Sequence, residues 1–203
     1  MQSNTSLQGT ELLHLAIEAS SRQDHGAAIS YLKQALDLPA GEAVPSQEYA
    51  KYLYLLGAEY AQIGMMDRAA DHMNQAIDMD PQLHTARFQL GLLYLTCNQP
   101  AQALSTLAPL EKLPEDAALH HLGQGLQHLI QDQFSACRES LLKGIELNSH
   151  SAAPNLALNA DMQKLLAALD AHAAAPQGDA AQGAPEVEAG YMMSAYHRSN
   201  QVN

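Results

Sequence analysis

The sequence has few cations, few aromatic residues and no tryptophan. Its 203 residues include 10 Lys and Arg against 22 Asp and Glu, which gives a formal net charge of −12. Because binding along a phosphate backbone requires a basic face, this balance argues against a nucleic-acid partner. Hydrophobic residues make up 47% of the chain but aromatic residues only 5%. Alanine, leucine and methionine therefore supply most of the apolar content, which favours helices over strands.

Targeting and membrane-spanning patterns are also missing. The first residues, MQSNTSLQGTELL, contain no basic stretch followed by an apolar run, and no apolar run is long enough to cross a bilayer. We therefore expect a cytoplasmic protein without membrane insertion. Cys97 and Cys137 lie inside apolar helical patterns and lack metal-ligand spacing, so we expect both to be buried, reduced thiols.

Motifs that carry chemistry are absent too. The chain has no glycine-rich phosphate loop, GxSxG turn, HExxH or CxxC, so we expect no catalysis and no cofactor. Adjacent His120 and His121 point to different sides of a helix, and the pair His121 and His128 lacks a third ligand. A metal site is therefore not expected. Carboxylates such as Glu59 and Asp67 are expected on solvated helix surfaces.

The chain does contain an internal period of 34 residues. Gly57, Gly91 and Gly125 are spaced by this interval. Three further sets of positions keep it: Tyr60, Tyr94 and His128; Ala69, Ala103 and Cys137; Met73, Leu107 and Leu141. A fixed period of this length is the sequence signature of stacked helical hairpins.

The segment from Leu53 to Pro81 resembles a repeat of the tetratricopeptide-repeat (TPR) family. The residues that carry the resemblance are Leu53, Leu56, Gly57, Tyr60, Gly64, Ala69, Met73, Ala76 and Pro81. Gly57 and Ala69 are small where two antiparallel helices would cross closely, and Pro81 would end the second helix. The resemblance implies an all-α solenoid of helical hairpins that binds proteins or peptides.

Four copies of this pattern and one closing helix can be placed along the chain. The copies begin near residues 9, 48, 84 and 118, and a seven-residue insertion, GEAVPSQ, follows the first. Residues 155–172 have the pattern of a helix that caps a solenoid. We expect an N-terminal extension over 1–8, a solenoid with its cap over 9–172, and a flexible tail over 173–203. The tail is rich in Ala, Gly and Pro, and Tyr191, Met192 and Tyr196 could form a docking motif in it.

In the TPR family the first helix of each repeat lines a concave groove that binds peptides. The resemblance implies that the groove residues here are Leu13, Ile17, Tyr54, Ala58, Phe88, Leu92, Leu95, Leu122 and Leu126. The third first helix, TARFQLGLLYLTC, is apolar almost all round, which predicts burial on every side. We therefore expect a partner to cover Phe88, Leu92 and Leu95.

The fourth repeat has two readings. If Gly125 is the glycine at the helix crossing, the stripe that contains Leu122 and Leu126 faces the groove and histidines form the packing face. If Gly123 is the crossing glycine, the stripe is core and the histidines face the groove. The two readings differ by about 200° of helix rotation.

The sequence thus favours a non-catalytic scaffold or adaptor that binds an apolar or amphipathic peptide of a protein partner. A clamp for a peptide's terminal carboxylate is not expected, because only Lys51 and Arg87 are candidate cations. An alternative is a cytoplasmic chaperone for an exported protein, since residues 122–134 loosely resemble bacterial type III secretion chaperones. Another is self-association, as a homodimer or with the tail of the chain in its own groove.

Overall fold

The computed structural model describes residues 8–38 and 46–174. Over these ranges the chain forms nine α-helices and one 3-10 helix, so the predicted all-α fold is confirmed. The helices are α1 (Gly9–Ser21), α2 (His25–Leu36), α3 (Ser46–Gln62), α4 (Met66–Met79), α5 (His84–Thr96), α6 (Pro100–Leu107), the 3-10 helix (Ala108–Lys112), α7 (Ala118–Ile130), α8 (Phe134–Ser149) and α9 (Leu156–Ala174).

Four equivalent turns join the two helices of each hairpin. Each turn contains one residue with positive φ: Gln23, Gly64, Asn98 and Asp132. The next residue in each turn donates its backbone N–H to a carbonyl five residues earlier, at 2.8–2.9 Å. This left-handed ending satisfies carbonyls that the helix itself leaves unpaired. The turns are 41, 34 and 34 residues apart, which confirms the repeat and the insertion after its first copy.

The described residues divide into two compact units, unit 1 up to Leu90 and unit 2 from Gly91 onward. In unit 1, α1 packs against α2, α2 against α3, and α3 against α4. The α3–α4 hairpin closes at a glycine, because a Cβ on Gly57 would lie 2.8 Å from Met73 Cγ and 2.9 Å from the carbonyl oxygen of Ala69. A side chain at Gly57 would therefore force the two helices apart.

In unit 2 the same crossing occurs twice. A Cβ on Gly91 would meet Leu107 Cγ at 2.6 Å, and one on Gly125 would meet Leu141 Cγ at 2.8 Å. Gly123 instead faces Leu110 of the 3-10 helix, with its hypothetical Cβ 3.1 Å from the leucine Cβ. Gly125 is therefore the crossing glycine of the fourth repeat, as the 34-residue period indicates.

The leucine stripe of α7 is nevertheless core, as only the Gly123 alternative predicted, so each alternative is right on one point and wrong on the other. Leu122, Leu126 and Leu129 have no exposed surface. A Cβ on Gly144 of α8 would lie 2.6 Å from Leu122 Cγ, so this second glycine makes room for Leu122 between the two helices. The prediction that choosing Gly125 places the stripe in a groove is wrong for this reason.

Helix α9 packs against α8 at the end of the described chain. A buried amide network fixes the connection between them: the Asn148 side chain donates to the Asn155 carbonyl at 2.8 Å and to Asn159 Oδ1 at 2.7 Å. Arg138 pairs with Asp170 farther along the same two helices. Met162 and Leu165 of α9 are fully buried, so α9 covers apolar surface as a capping helix would.

Candidate functional site

The described residues offer little for catalytic or metal chemistry. No group of three or more His, Cys, Asp or Glu among them could hold a metal ion. Both cysteines are free, and burial raises the pKa of the Cys137 thiol to about 12, so the nucleophilic thiolate is scarce there at neutral pH. Cys97 is only half-buried, less than the sequence predicted. None of the helices in the described ranges combines the length and apolarity that a membrane crossing requires.

Glu59 is buried, and the expectation that it is a solvated surface carboxylate is wrong. Only 6% of the residue is exposed. Its Oε1 accepts a hydrogen bond from Ser20 Oγ at 2.5 Å, and its Oε2 lies 2.7 Å from His25 Nδ1. These partners satisfy the buried carboxylate and join α1, the start of α2, and α3. The sequence carries a hint, since the equivalent position of the next repeat is the apolar Leu93.

The Ser20, Glu59 and His25 arrangement does not resemble a nucleophilic triad. In a triad the base takes the proton of the hydroxyl and a third group orients the base. Here the carboxylate lies between the serine and the histidine and binds each through a different oxygen. The cluster is therefore interpreted as a polar anchor between the first two hairpins.

In unit 1 the first helices α1 and α3 carry accessible apolar side chains at equivalent positions. Ile17 is 52% exposed, and Leu13, Tyr54 and Ala58 are half-buried. Leu13 and Ile17 are four residues apart on α1, as Tyr54 and Ala58 are on α3, so each pair shares one helix face. We refer to these four residues as the first-helix face. Burial raises the pKa of the Tyr54 hydroxyl above its ordinary value, which is already well above physiological pH.

The other five predicted groove residues are not accessible. Phe88, Leu122 and Leu126 have no exposed surface, and Leu92 and Leu95 are 6% and 4% exposed. The prediction that α5 is buried on every side holds, but no external partner is needed to cover Phe88, Leu92 and Leu95. A helix that is apolar all round was the sequence signal for this burial.

The two candidate cations of a carboxylate clamp, Arg87 and Lys51, differ in their exposure. Arg87 is half-buried, and burial lowers the pKa of its guanidinium although the charge of Asp78 opposes this. Lys51 is exposed on α3. The predicted docking motif at Tyr191, Met192 and Tyr196 lies outside the described residues.

Comparison with known proteins supports the hairpin architecture. A profile of the family described as "Tetratricopeptide repeat" matches residues 50–83, which contain most of α3 and all of α4. No curated protein is significantly similar to the chain in sequence. The resemblance to the TPR family is therefore confirmed, most directly at the second repeat.

Two solved structures of MamA share the fold. A MamA RS-1 ArsTM double mutant is 16% identical, with a TM-score of 0.54, over 96% of this chain and 97% of that chain. MamA 41-end from Desulfovibrio magneticus RS-1 is 17% identical, with a TM-score of 0.55, over 94% and 96%. At such low identity the similarity concerns the fold alone.

Proposed function

We propose that this tetratricopeptide-repeat protein is a non-catalytic scaffold or adaptor of the cytoplasm that binds an apolar or amphipathic peptide segment of a protein partner. The TPR fold is typically an interaction module; no metal-binding cluster occurs among the described residues, and burial keeps the Cys137 thiol protonated. The proposed binding surface is the first-helix face of unit 1.

Ile17 is the observation that carries the proposal. More than half of its surface is exposed, although α1 buries Leu12, Ala16 and Ala19 almost completely. A β-branched apolar residue beside a packed face is well placed to anchor a partner, because burying it on binding removes apolar area from water. Leu13 on the same helix and Tyr54 on α3 extend this apolar surface.

Tyr54 is the residue that would give the face its specificity. Tyrosine is enriched at binding hot spots because it offers a large apolar ring and a polar tip with few rotatable bonds. Its half-buried position restricts its rotamers before a partner arrives, which reduces the entropy lost on binding. The acidic chain would favour a segment that carries Lys or Arg around its apolar anchors.

Peptide display tests the proposal. Peptides selected against the full chain would be measured for affinity with the wild type, Ile17→Glu and Leu142→Glu. Leu142 is the matched control, because it is 48% exposed on α8. We expect Ile17→Glu to weaken binding at least about tenfold, since it places a charge against an apolar anchor. Equal losses in both variants, or none in either, would reject the first-helix face.

The alternative occupants of the face are distinguished by the same assay. If the tail competes for the face, the double substitution Tyr191→Asp and Tyr196→Asp in the full chain would raise peptide affinity. If the protein is a chaperone for an exported protein, the selected peptides would match one amphipathic segment of a single client. Unchanged peptide affinity in the tail variant would show that the tail does not compete for the first-helix face.

A further inference from the structure

A second cluster in unit 1 brings cations together around one aromatic ring. Tyr60 of α3 is 3% exposed, and the His72 ring of α4 stacks on it at 5.4 Å with the planes 9° apart. Lys33 Nζ of α2 lies 5.8 Å from the centre of the phenol ring, and Arg68 Cζ of α4 lies 5.6 Å from it. We call these four residues the Tyr60 cluster.

The cluster brings two cations to one ring in a chain that is acidic overall. Four of the nine Lys and Arg residues in the described ranges pair with carboxylates: Arg22, Arg138, Lys143 and Lys164. Lys33 and Arg68 have no salt-bridge partner within the described ranges, although acidic residues outnumber basic ones by more than two to one overall. Two cations near one ring repel each other unless an anion neutralises them.

The tyrosine only partly compensates for this repulsion. Burial raises the pKa of Tyr60, but hydrogen bonding and charge from Lys33 and Arg68 outweigh that effect and leave the pKa below its ordinary value. The single phenol oxygen has at most two lone pairs, whereas an ammonium has three donors and a guanidinium five. Most of these donors remain free for another acceptor, and both cationic side chains are exposed to solvent.

His72 completes the cluster without neutralising it. Its Nδ1 atom is buried and has no hydrogen-bond partner in the described part of the chain. Burial lowers the pKa of His72; the nearby charge of Asp71 opposes this, and those of Lys33 and Arg68 reinforce it. The ring is therefore held by stacking on Tyr60, and Asp71 is the carboxylate whose charge reaches the cluster.

We propose that the Tyr60 cluster is a binding site for a phosphate group. Two cations match the charge of a phosphate dianion, whereas a carboxylate would neutralise only one of them. The guanidinium fork fits two phosphate oxygens and the ammonium supplies a further charge-assisted hydrogen bond. The next repeat keeps the aromatic ring as Tyr94 but has Asn74 and Gln102 at the positions of the cations, so the site is specific to this junction.

The site is separate from the first-helix face, because its cations lie on the second helices α2 and α4. A phosphate held there would link those two helices within unit 1. The proposal therefore does not depend on peptide binding at Ile17, and either function can fail without the other.

Nuclear magnetic resonance titration of the full chain tests the site. Inorganic phosphate would be added at constant pH and ionic strength while the ring signals of His72 are followed, with exposed His150, which follows α8, as the internal reference. We expect a saturable shift of His72 in the millimolar range and no saturable shift of His150. Acetate should bind more weakly than phosphate. A tighter O-phosphoserine complex would indicate a phosphorylated ligand, and equal affinity would indicate the free ion.

Substitutions make the test specific. Arg68→Gln and Lys33→Gln should each weaken phosphate binding about tenfold, since each removes a charge-assisted hydrogen bond. Asp71→Asn should strengthen it, and Lys51→Gln, at an exposed lysine of α3, should leave it unchanged. A His72 signal that does not respond to phosphate, a response that both cation variants retain, or an equal or tighter acetate complex would overturn the proposal.

Discussion

Equivalent positions of the first helices behave differently in the two units. Tyr54 and Ala58 of α3 in unit 1 are half-buried, whereas Leu122 and Leu126 of α7, two repeats later, have no exposed surface. Both helices cross their partner at a glycine in the same register, Gly57 and Gly125. The crossing therefore does not decide which helix face remains accessible.

The second-helix residues that correspond to these positions also differ. In unit 2 the α8 residue that faces Leu122 is Gly144, and the absence of its Cβ admits the leucine into the interface. The equivalent residue of unit 1 is Ala76, which is itself fully buried. At this pair of positions a glycine therefore accompanies a fully buried first-helix residue, and an alanine accompanies a half-buried one.

The largest expected effect on the comparison of the two helix faces is the loss of stability when Leu126 is truncated. Truncation to alanine should lower the free energy of unfolding by about 2–5 kcal/mol, because it opens a cavity at a fully buried site. The same truncation at exposed Ile17 should change it by less than about 0.5 kcal/mol. Urea denaturation followed by circular dichroism measures both. Similar losses at the two sites would remove the distinction between the faces.

A smaller effect is expected where Leu122 meets α8. Gly144→Ala should destabilise the fold by about 1–3 kcal/mol through overpacking. In a Leu122→Ala background the same change should cost less, because the leucine side chain is gone and only the Ala118 carbonyl oxygen, at 3.1 Å, remains close. Gly26→Ala is the control: its Cβ would lie 3.8 Å from Asp24 Oδ1, and alanine should stabilise α2 by up to about 1 kcal/mol. A cost of Gly144→Ala that is independent of residue 122 would refute the proposed packing.

The smallest expected effect is a difference in chemical labelling between the two cysteine thiols. At mildly alkaline pH a thiol-reactive dye should label half-buried Cys97 and leave buried Cys137 unmodified in the native protein. A pKa of about 12 leaves only a minute thiolate fraction, and burial blocks access as well. Mass spectrometry of the labelled protein counts the adducts, with a sample in denaturant as the control. Rapid native labelling of Cys137 would show that the α7–α8 hairpin opens readily.

The hairpins could be predicted from the sequence because their contacts are local. Gly57 meets Met73, and Gly125 meets Leu141, at one fixed separation along the chain. The accessible face could not be predicted in the same way. Burial of Leu122 depends on Gly144, a position that the first-helix pattern does not contain, and burial of Glu59 depends on Ser20 and His25 of the preceding hairpin. These contacts vary from repeat to repeat while the period remains constant.

We propose that partners bind at the first-helix face of unit 1 and not at the buried leucine stripe of unit 2. The chain has six isoleucines, which allow methyl-labelled magnetic resonance to locate a ligand; Ile17 lies on the face, and Ile130 and Ile145 lie on α7 and α8. We would titrate the labelled full chain with a display-selected peptide. We expect a saturable shift of the Ile17 methyl signal with Ile130 and Ile145 unchanged. Shifts confined to Ile130 and Ile145 would contradict it.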